Sequence, residues 1–141
     1  MQKRNLKDAN SKRSIWPRLV TLAFVLAFAT IAVSLLPRGF SEDTSLIGKG
    51  TNALLLVHDS NILQSADTMA AMNEIRDEYA GRLELIVADI QTPSGKAFAD
   101  RNGFQPVALV FYSANGENLQ TLYTPQTGAS LRQELNRVFG Y

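Results

Sequence analysis

Eighteen consecutive uncharged residues form the longest apolar run of the chain. The run extends from Leu19 to Leu36, with the sequence LVTLAFVLAFATIAVSLL, and only two threonines and one serine interrupt it. A helix absorbs such hydroxyls by bonding them to its own carbonyls. Eighteen residues in a helix span about 27 Å, which is close to the thickness of a bilayer's hydrocarbon core. The pattern therefore predicts a transmembrane helix over 19–37, bounded by Pro37.

Alternating apolar runs and amphipathic stretches follow from residue 52 onward. Continuous apolar runs at Ala53–Val57, Leu83–Ile90 and Val107–Tyr112 predict strands that are buried on both faces. Asn115-Gly116 is a hairpin signal that predicts a fourth strand over 118–123. Apolar positions at helical spacing, with terminal glycines and prolines, predict helices over 65–80, 93–102 and 130–139. The order β-α-β-α-β-β-α predicts an α/β domain with a mixed sheet and helices on both faces.

Charge differs sharply on the two sides of the apolar run. Residues 1–18 carry six basic residues and one acidic residue, whereas residues 41–141 carry seven basic and twelve acidic residues. The positive-inside rule makes 1–18 a cytoplasmic tail and puts the acidic domain on the other side of the membrane. We expect a single-pass protein of the cytoplasmic (inner) membrane with a periplasmic domain. The acidic balance argues against nucleic acid as a partner.

A cleaved signal peptide is the alternative to a retained signal anchor. Ala27-Phe28-Ala29 matches a small-residue cleavage site, but cutting there would leave the apolar segment 30–36 as the new terminus. No better site follows, which favours the anchor. The polar segment 38–51 predicts a flexible linker between the anchor and the domain at 52–141.

Several stretches of the domain resemble the thioredoxin family. The closest are EIRDEYAGRLEL at 74–85 and QPVALVFYSANGE at 105–117. The similarity covers roughly residues 52–140 and implies a thioredoxin-like mixed sheet flanked by helices. In that alignment, Ile62-Leu63-Gln64-Ser65 occupies the position of the family's Cys-x-x-Cys motif. The family's buried acid falls at Leu56, and its basic neighbour falls at Val87.

The resemblance carries the family's fold without its chemistry. The chain contains no cysteine, so it has no thiolate for disulfide exchange, no disulfide and no cysteine-based metal site. We therefore expect no catalytic residues, no cofactor and no metal. The resemblance also implies a cis peptide bond before Pro106. In the family, the backbone before this proline pairs with extended peptides, a contact that needs no cysteine.

The degenerate motif and the proline segment define a candidate partner-binding rim. Its residues are Ser60, Asn61, Ile62, Leu63, Gln64, Phe104, Gln105 and Pro106. Two arrangements of Ile62 and Leu63 are open. Both side chains would be exposed and form an apolar patch with Phe104, or both would turn inward and fill the space around the motif.

His58 is the single histidine, and it follows the first strand. A solvated strand-end histidine is far commoner than a catalytic one, and Asp59, Asp67 and Asp89 are expected to be scattered carboxylates and not a cation site. We carry three hypotheses. The first is a redox-inactive binding module that acts as an assembly factor or accessory subunit. The second is a structural single-span subunit of a membrane complex, and the third is a non-thiol enzyme with a site near His58.

Overall fold

A computed structural model of the protein describes residues 15–34 and 39–141. The chain divides into two compact units that meet between residues 38 and 39, and each is described by itself. Most of the predicted basic tail, together with residues 35–38, lies outside the described residues.

The N-terminal unit contains one long helix, α1, from Trp16 to Ser34. It begins three residues before the predicted span, because Pro17 fits the first turn of a helix, where its missing N–H is not needed. The hydroxyls inside α1 bond back to its own carbonyls, Thr21 to Pro17 and Thr30 to Leu26, at 2.8 Å each. By length and composition, α1 is apolar enough to cross a bilayer.

The second unit is a four-stranded mixed sheet with helices packed on it. The strands are β1 (Asn52–His58), β2 (Leu83–Asp89), β3 (Leu109–Tyr112) and β4 (Asn118–Leu122), and the helices are α2 (Leu63–Ile75), α3 (Pro93–Asn102) and α4 (Gly128–Phe139). The strand order is β2-β1-β3-β4. β1 pairs parallel with β2 and antiparallel with β3, and β3 pairs antiparallel with β4. The predicted α/β class, mixed sheet and element order are confirmed.

Two hydrophobic cores lie on opposite faces of the sheet. Leu54 and Leu56 of β1 point to the α2/α4 face, whereas Ala53, Leu55 and Val57 point to the α3 face. All five of these residues are fully buried, as the continuous apolar run predicted.

α3 packs unusually close to β2. A Cβ atom added at Gly95 would lie 2.6 Å from the carbonyl carbon of Asp89 and closer still to its oxygen. Only glycine fits this position without moving the helix away from the strand. The bounds of α3 match the predicted 93–102, since the Thr92 side chain caps its start and Gly103 ends it in the left-handed region, with φ 69°.

The predicted helix over 65–80 differs from α2 at both ends, because it starts two residues too late and ends five residues too late. α2 begins at Leu63 and ends at Ile75, after which the chain continues in turns. The N–H of Tyr79 bonds the carbonyl of Ile75 at 3.3 Å, and the Tyr79 ring is buried in the α2/α4 core. Helical periodicity persists through these turns in the sequence, which is why the pattern alone overextended the helix.

Residues 39–51 do not form the predicted flexible linker. Phe40 packs against the α2/α4 core, and Leu46 and Ile47 pack against the α3 core. Ser41 pairs with Ile86 at the outer edge of β2. The segment is mostly polar, and its composition did not reveal the three apolar residues that pack on the domain or the backbone pairing of Ser41. The compact unit therefore begins at Gly39 and not at residue 52.

Candidate functional site

Both segments of the predicted rim lie at the same end of the sheet. β1 ends at His58, which is paired with Asp89, the last residue of β2. The segment that leads into β3 lies at the same end, because Val57 donates its N–H to the carbonyl of Ala108 at 2.8 Å. Residues 60–64 follow β1, and residues 104–106 precede β3, so the sheet brings their ends together at the carboxyl end of the parallel strands, where α/β folds place ligand sites.

Leu63 and Ile62 differ in exposure. Leu63 opens α2 with 73% of its surface exposed, the largest exposed fraction among the large apolar side chains of the second unit. Ile62 is the residue before the helix, with extended backbone and a half-buried side chain that offers no capping hydrogen bond. The two arrangements proposed from the sequence therefore divide between the two residues.

The remaining rim residues are mostly polar and exposed. Ser60, Asn61, Gln64 and Gln105 are exposed, and Pro106 is half-buried. Phe104 is also half-buried, and its ring centroid lies 6.3 Å from that of Phe98 in the α3 core. Because Phe104 is engaged in this packing, the exposed apolar surface of the rim is centred on Leu63.

Pro106 is in the trans form, since no peptide bond among the described residues is cis. The expectation of a cis bond is wrong because a different turn connects α3 to β3. The N–H of Ala108 bonds the carbonyl of Gln105 at 3.2 Å, which closes a four-residue turn. Val107 occupies its third position with φ 73°, the backbone conformation that type II turns require there.

Val107 is a strained residue. It is β-branched, it is buried, and it is the one non-glycine residue with positive φ among the described residues. Such a conformation is a true outlier for this residue type and costs about 1–3 kcal/mol. Its N–H is held by the carbonyl of Val57 at 2.9 Å. Strain of this kind concentrates at binding and catalytic sites, and here it lies directly beside the rim.

A buried hydroxyl organises the polar part of the rim. The Ser65 side chain is fully buried, its Oγ lies 2.8 Å from Nδ1 of His58, and it accepts the N–H of Asp59 at 3.1 Å. Ser65 stands where the sequence comparison put the family's second cysteine. Because its hydroxyl is enclosed, it serves as a joint between β1 and α2 and is not accessible as a nucleophile.

Asp59 is an anchored carboxylate. Its Oδ1 accepts hydrogen bonds from the backbone N–H of Asn61 at 2.9 Å, from the Asn61 amide at 3.0 Å and from the Gln91 amide at 3.2 Å. The backbone bond is the main cause that holds the pKa of Asp59 below its usual range. Gln91 also donates its N–H to Asp89 at 2.8 Å and so links the ends of the two parallel strands.

The acidic residues of this edge form no metal centre. Within the described residues, no group of three histidine, cysteine or acidic side chains is placed to hold a metal ion. Leu56 and Val87, at the positions of the family's acid and base, are both buried in the α2/α4 core. At this end of the sheet, anchored polar side chains therefore lie beside one exposed leucine.

Sequence reasoning missed the contact between His58 and Ser65. The two residues lie in different elements, since His58 ends β1 and Ser65 belongs to α2. No spacing rule links the end of a strand to the third residue of the helix that follows it, and the contact depends on how the chain turns between residues 59 and 62.

Comparison with known proteins adds a likeness of fold. No protein-family model and no curated protein matches the chain. Among solved structures, 107 chains match. One, titled "Structure of a malarial protein", is 12% identical, covers 62% of this chain and 97% of its own, and superposes with a TM-score of 0.56. At this identity the likeness concerns the fold alone.

Proposed function

We propose that this protein is a membrane-anchored, redox-inactive thioredoxin-like domain that binds a protein partner through the rim at 60–64 and 104–106. It is a binding module and not an enzyme, and it acts as an assembly factor or accessory subunit of a membrane or envelope complex. The exposure of Leu63 carries this proposal. A large aliphatic side chain at 73% exposure is unfavourable in water and gains about 1.5–3 kcal/mol on burial in a partner.

Two observations support the thioredoxin-like assignment. The strand order is β2-β1-β3-β4 with β3 antiparallel to its neighbours. The stretches that resemble the family fall on the end of α2, on β2 and on β3. The lack of cysteine removes disulfide chemistry from such a domain, while its main-chain and apolar contacts remain.

Topology is the second part of the proposal. α1 is a retained signal anchor in the cytoplasmic membrane, residues 1–18 face the cytoplasm, and the domain faces the periplasm. The six basic residues before Leu19 support this orientation. A periplasm-dependent reporter fused after Tyr141 is expected to be active, and a cytoplasm-dependent reporter at the same position inactive. A mature N-terminus at Thr30 would contradict the anchor.

The docking rim is tested with a photo-crosslinking residue at position 63 of the full-length chain in native membranes. Mass spectrometry is expected to identify one recurrent partner protein. The matched control carries the same residue at position 66, an exposed alanine on the same helix. A partner captured equally well from both positions, or from neither, would contradict the assignment of the rim.

A substitution then separates docking from packing. Leu63→Ser is expected to reduce capture of the identified partner at least tenfold and to leave the unfolding temperature unchanged, because 73% of the Leu63 surface is exposed. Ala66→Ser is expected to change neither. A Leu63→Ser chain with full partner capture and wild-type stability would show that the rim does not bind through this residue.

A further inference from the structure

The end of the sheet that carries the rim is built from segments without lysine or arginine. These segments are residues 51–75, 83–95 and 102–131. At this end they place three aspartates: Asp59 directly after β1, Asp67 in the second turn of α2, and Asp89 at the end of β2. His58 is the one histidine of the chain, and its Nδ1 is engaged by the Ser65 hydroxyl. The rim therefore lies among carboxylates that no lysine or arginine of the same segments neutralises.

The three aspartates at this end also take no part in ion pairs. Within the described residues, the ion pairs join other acidic residues to lysine or arginine. The nearest lysine and arginine along the chain are Lys96 and Arg82, each seven positions from Asp89. Lys96 is paired with Asp100, and Arg82 is separated from Asp89 by the length of β2, about 20 Å. A counter-charge for these carboxylates therefore comes from solution or from a partner.

Asp67 lies one helical turn after Leu63, on the same face of α2. Residues four positions apart on a helix have Cβ atoms about 5–6 Å from each other. Both side chains are exposed. A partner group that covers the aliphatic side chain of Leu63 is therefore within reach of the Asp67 carboxylate.

Asp59 supplies a second carboxylate, four positions before Leu63. Its three hydrogen bonds all reach Oδ1, so Oδ2 accepts none within the described residues. The backbone bond from Asn61 is the main cause that holds the pKa of Asp59 below its usual range, which keeps the group ionised at neutral pH. Gln91 bonds both Asp59 and Asp89, so the third carboxylate lies close to the second.

The start of α2 offsets only part of this negative charge. A helix N-terminus acts as about half a positive charge, and its field fades within the first turn. An ionised carboxylate carries a full negative charge, and three carboxylates lie at this end of the sheet. The charge balance at the rim is therefore negative, which favours a cationic partner segment and disfavours an acidic one.

We propose that the partner segment that docks on the rim presents an apolar side chain to Leu63 and a lysine or arginine to the carboxylates of Asp59 and Asp67. This inference rests on the proposed function, because it names the chemistry of the protein segment that the rim binds. The two features lie within about four residues of each other in the partner, a length that covers about 13 Å when extended. Arginine fits best, because its planar guanidinium donates several hydrogen bonds to carboxylate oxygens.

Three labelled peptides with blocked ends test this chemistry on the full-length chain in a neutral detergent. They are Gly-Arg-Leu-Phe-Arg-Gly, Gly-Glu-Leu-Phe-Glu-Gly and Gly-Arg-Ser-Ser-Arg-Gly, and fluorescence anisotropy measures their binding. The first is expected to bind at least threefold more tightly than the second and at least tenfold more tightly than the third. Its binding is expected to weaken several-fold between about 0.1 M and about 1 M salt, because the Debye length falls from about 10 Å to about 3 Å.

Matched variants locate the binding of the first peptide. Asp59→Asn combined with Asp67→Asn is expected to weaken it at least threefold, and asparagine keeps an oxygen that accepts the Asn61 N–H. Asp77→Asn combined with Glu117→Gln removes the same charge at two exposed positions outside the rim and is expected to leave the affinity unchanged. Leu63→Ser is expected to abolish binding, and the unfolding temperature of every variant is measured alongside.

Two results would overturn this inference while leaving the proposed function in place. One is a first peptide that binds no more tightly than the second, or that is weakened equally by the rim pair and the control pair of variants. The other is a partner crosslinked from position 63 whose linked segment has no lysine or arginine within about four residues. Absence of any partner crosslinked from position 63 would contradict the proposed function and this inference alike.

Discussion

Nδ1 of His58 and the hydroxyl of Ser65 lie 2.8 Å apart and tie the end of β1 to the first turn of α2. The same hydroxyl holds the backbone N–H of Asp59, so one buried oxygen fixes the direction in which the chain leaves the sheet. Leu63 lies between these two attachment points in the chain. The segment that carries Leu63 is therefore held at both ends by one polar contact.

Ser65→Ala is expected to lower the free energy of unfolding by about 1–3 kcal/mol, because the Asp59 N–H loses its acceptor at a buried position. Ser94→Ala, at an exposed serine, is the matched control and is expected to stay within about 0.5 kcal/mol. Chemical denaturation followed by circular dichroism measures both. Equal stability of the two variants would show that the buried hydroxyl is not the joint described here.

Gly95→Ala is expected to destabilise the domain by about 1–3 kcal/mol, although alanine normally favours a helix by about 1 kcal/mol. The new methyl group would meet backbone atoms of Asp89, which cannot rotate away. Gly128→Ala provides the contrast, because the three nearest atoms that its methyl group would meet all belong to the side chain of Glu74. That side chain is 58% exposed, and it can rotate away at the cost of its surface ion pair with Arg132. Thermal unfolding is expected to rank Gly95→Ala well below Gly128→Ala, and the reverse order would contradict the close packing of α3 on β2.

Val107→Gly is expected to change stability by less than about 1 kcal/mol, even though it removes a buried side chain. The lost burial, about 1.5–3 kcal/mol, is offset by relief of backbone strain of about 1–3 kcal/mol. Val110→Gly, at a fully buried position in β3 with ordinary backbone, gains no such relief and is expected to cost more than about 3 kcal/mol. If the two variants are equally destabilised in denaturant titrations, the positive φ at Val107 carries no strain.

The fourth prediction concerns acid stability. Arg137 first, and then Gln120 at 2.9 Å, hold the pKa of Glu134 below its ordinary value. A carboxylate whose pKa is lower in the folded state stabilises the fold above its unfolded pKa of about 4.3, and this contribution disappears as the pH falls further. Glu134→Gln is therefore expected to lose less stability than the natural chain between pH 7 and pH 3.

Arg137→Gln is the companion variant for this pH dependence, since it removes the main cause of the lowered pKa. It is expected to reduce the stability loss between pH 7 and pH 3 in the same direction, and the double variant to add little to either single change. Denaturation at several pH values, at low ionic strength, measures all three. An unchanged pH profile in Glu134→Gln would contradict the assignment.

The helices and strands whose ends depend on neighbouring residues were predicted well from the sequence. α3 has Thr92 before it, proline at its start and glycine after it, and these signals located both ends to the residue. The five apolar residues of β1 predicted a strand buried on both faces, and the connections between elements then limited the possible sheet orders.

The features that escaped prediction depend on contacts between distant segments. Ser41 pairs with Ile86 through backbone groups, and the amino-acid composition of its segment does not predict such a pairing. Val107 adopts positive φ because Val57 and Gln105 hold its turn from both sides, against the preference of a β-branched residue. Of the rim residues, Leu63 is exposed, whereas Phe104 is half-buried and packs against Phe98 at the α3 core.

The central position of β1 has a consequence for how the chain folds. Ala53 pairs with Tyr112, 59 residues later, so synthesis delivers the buried strand β1 long before its antiparallel partner. Until then β1 has only β2 beside it, and its unpaired backbone edge and its five apolar side chains are exposed to neighbouring chains. Ordering such distant segments slows folding relative to local helical contacts. A chain halted before residue 109 is therefore expected to aggregate instead of forming a smaller stable domain, because the last quarter of the sequence supplies the strand that covers the open side of β1.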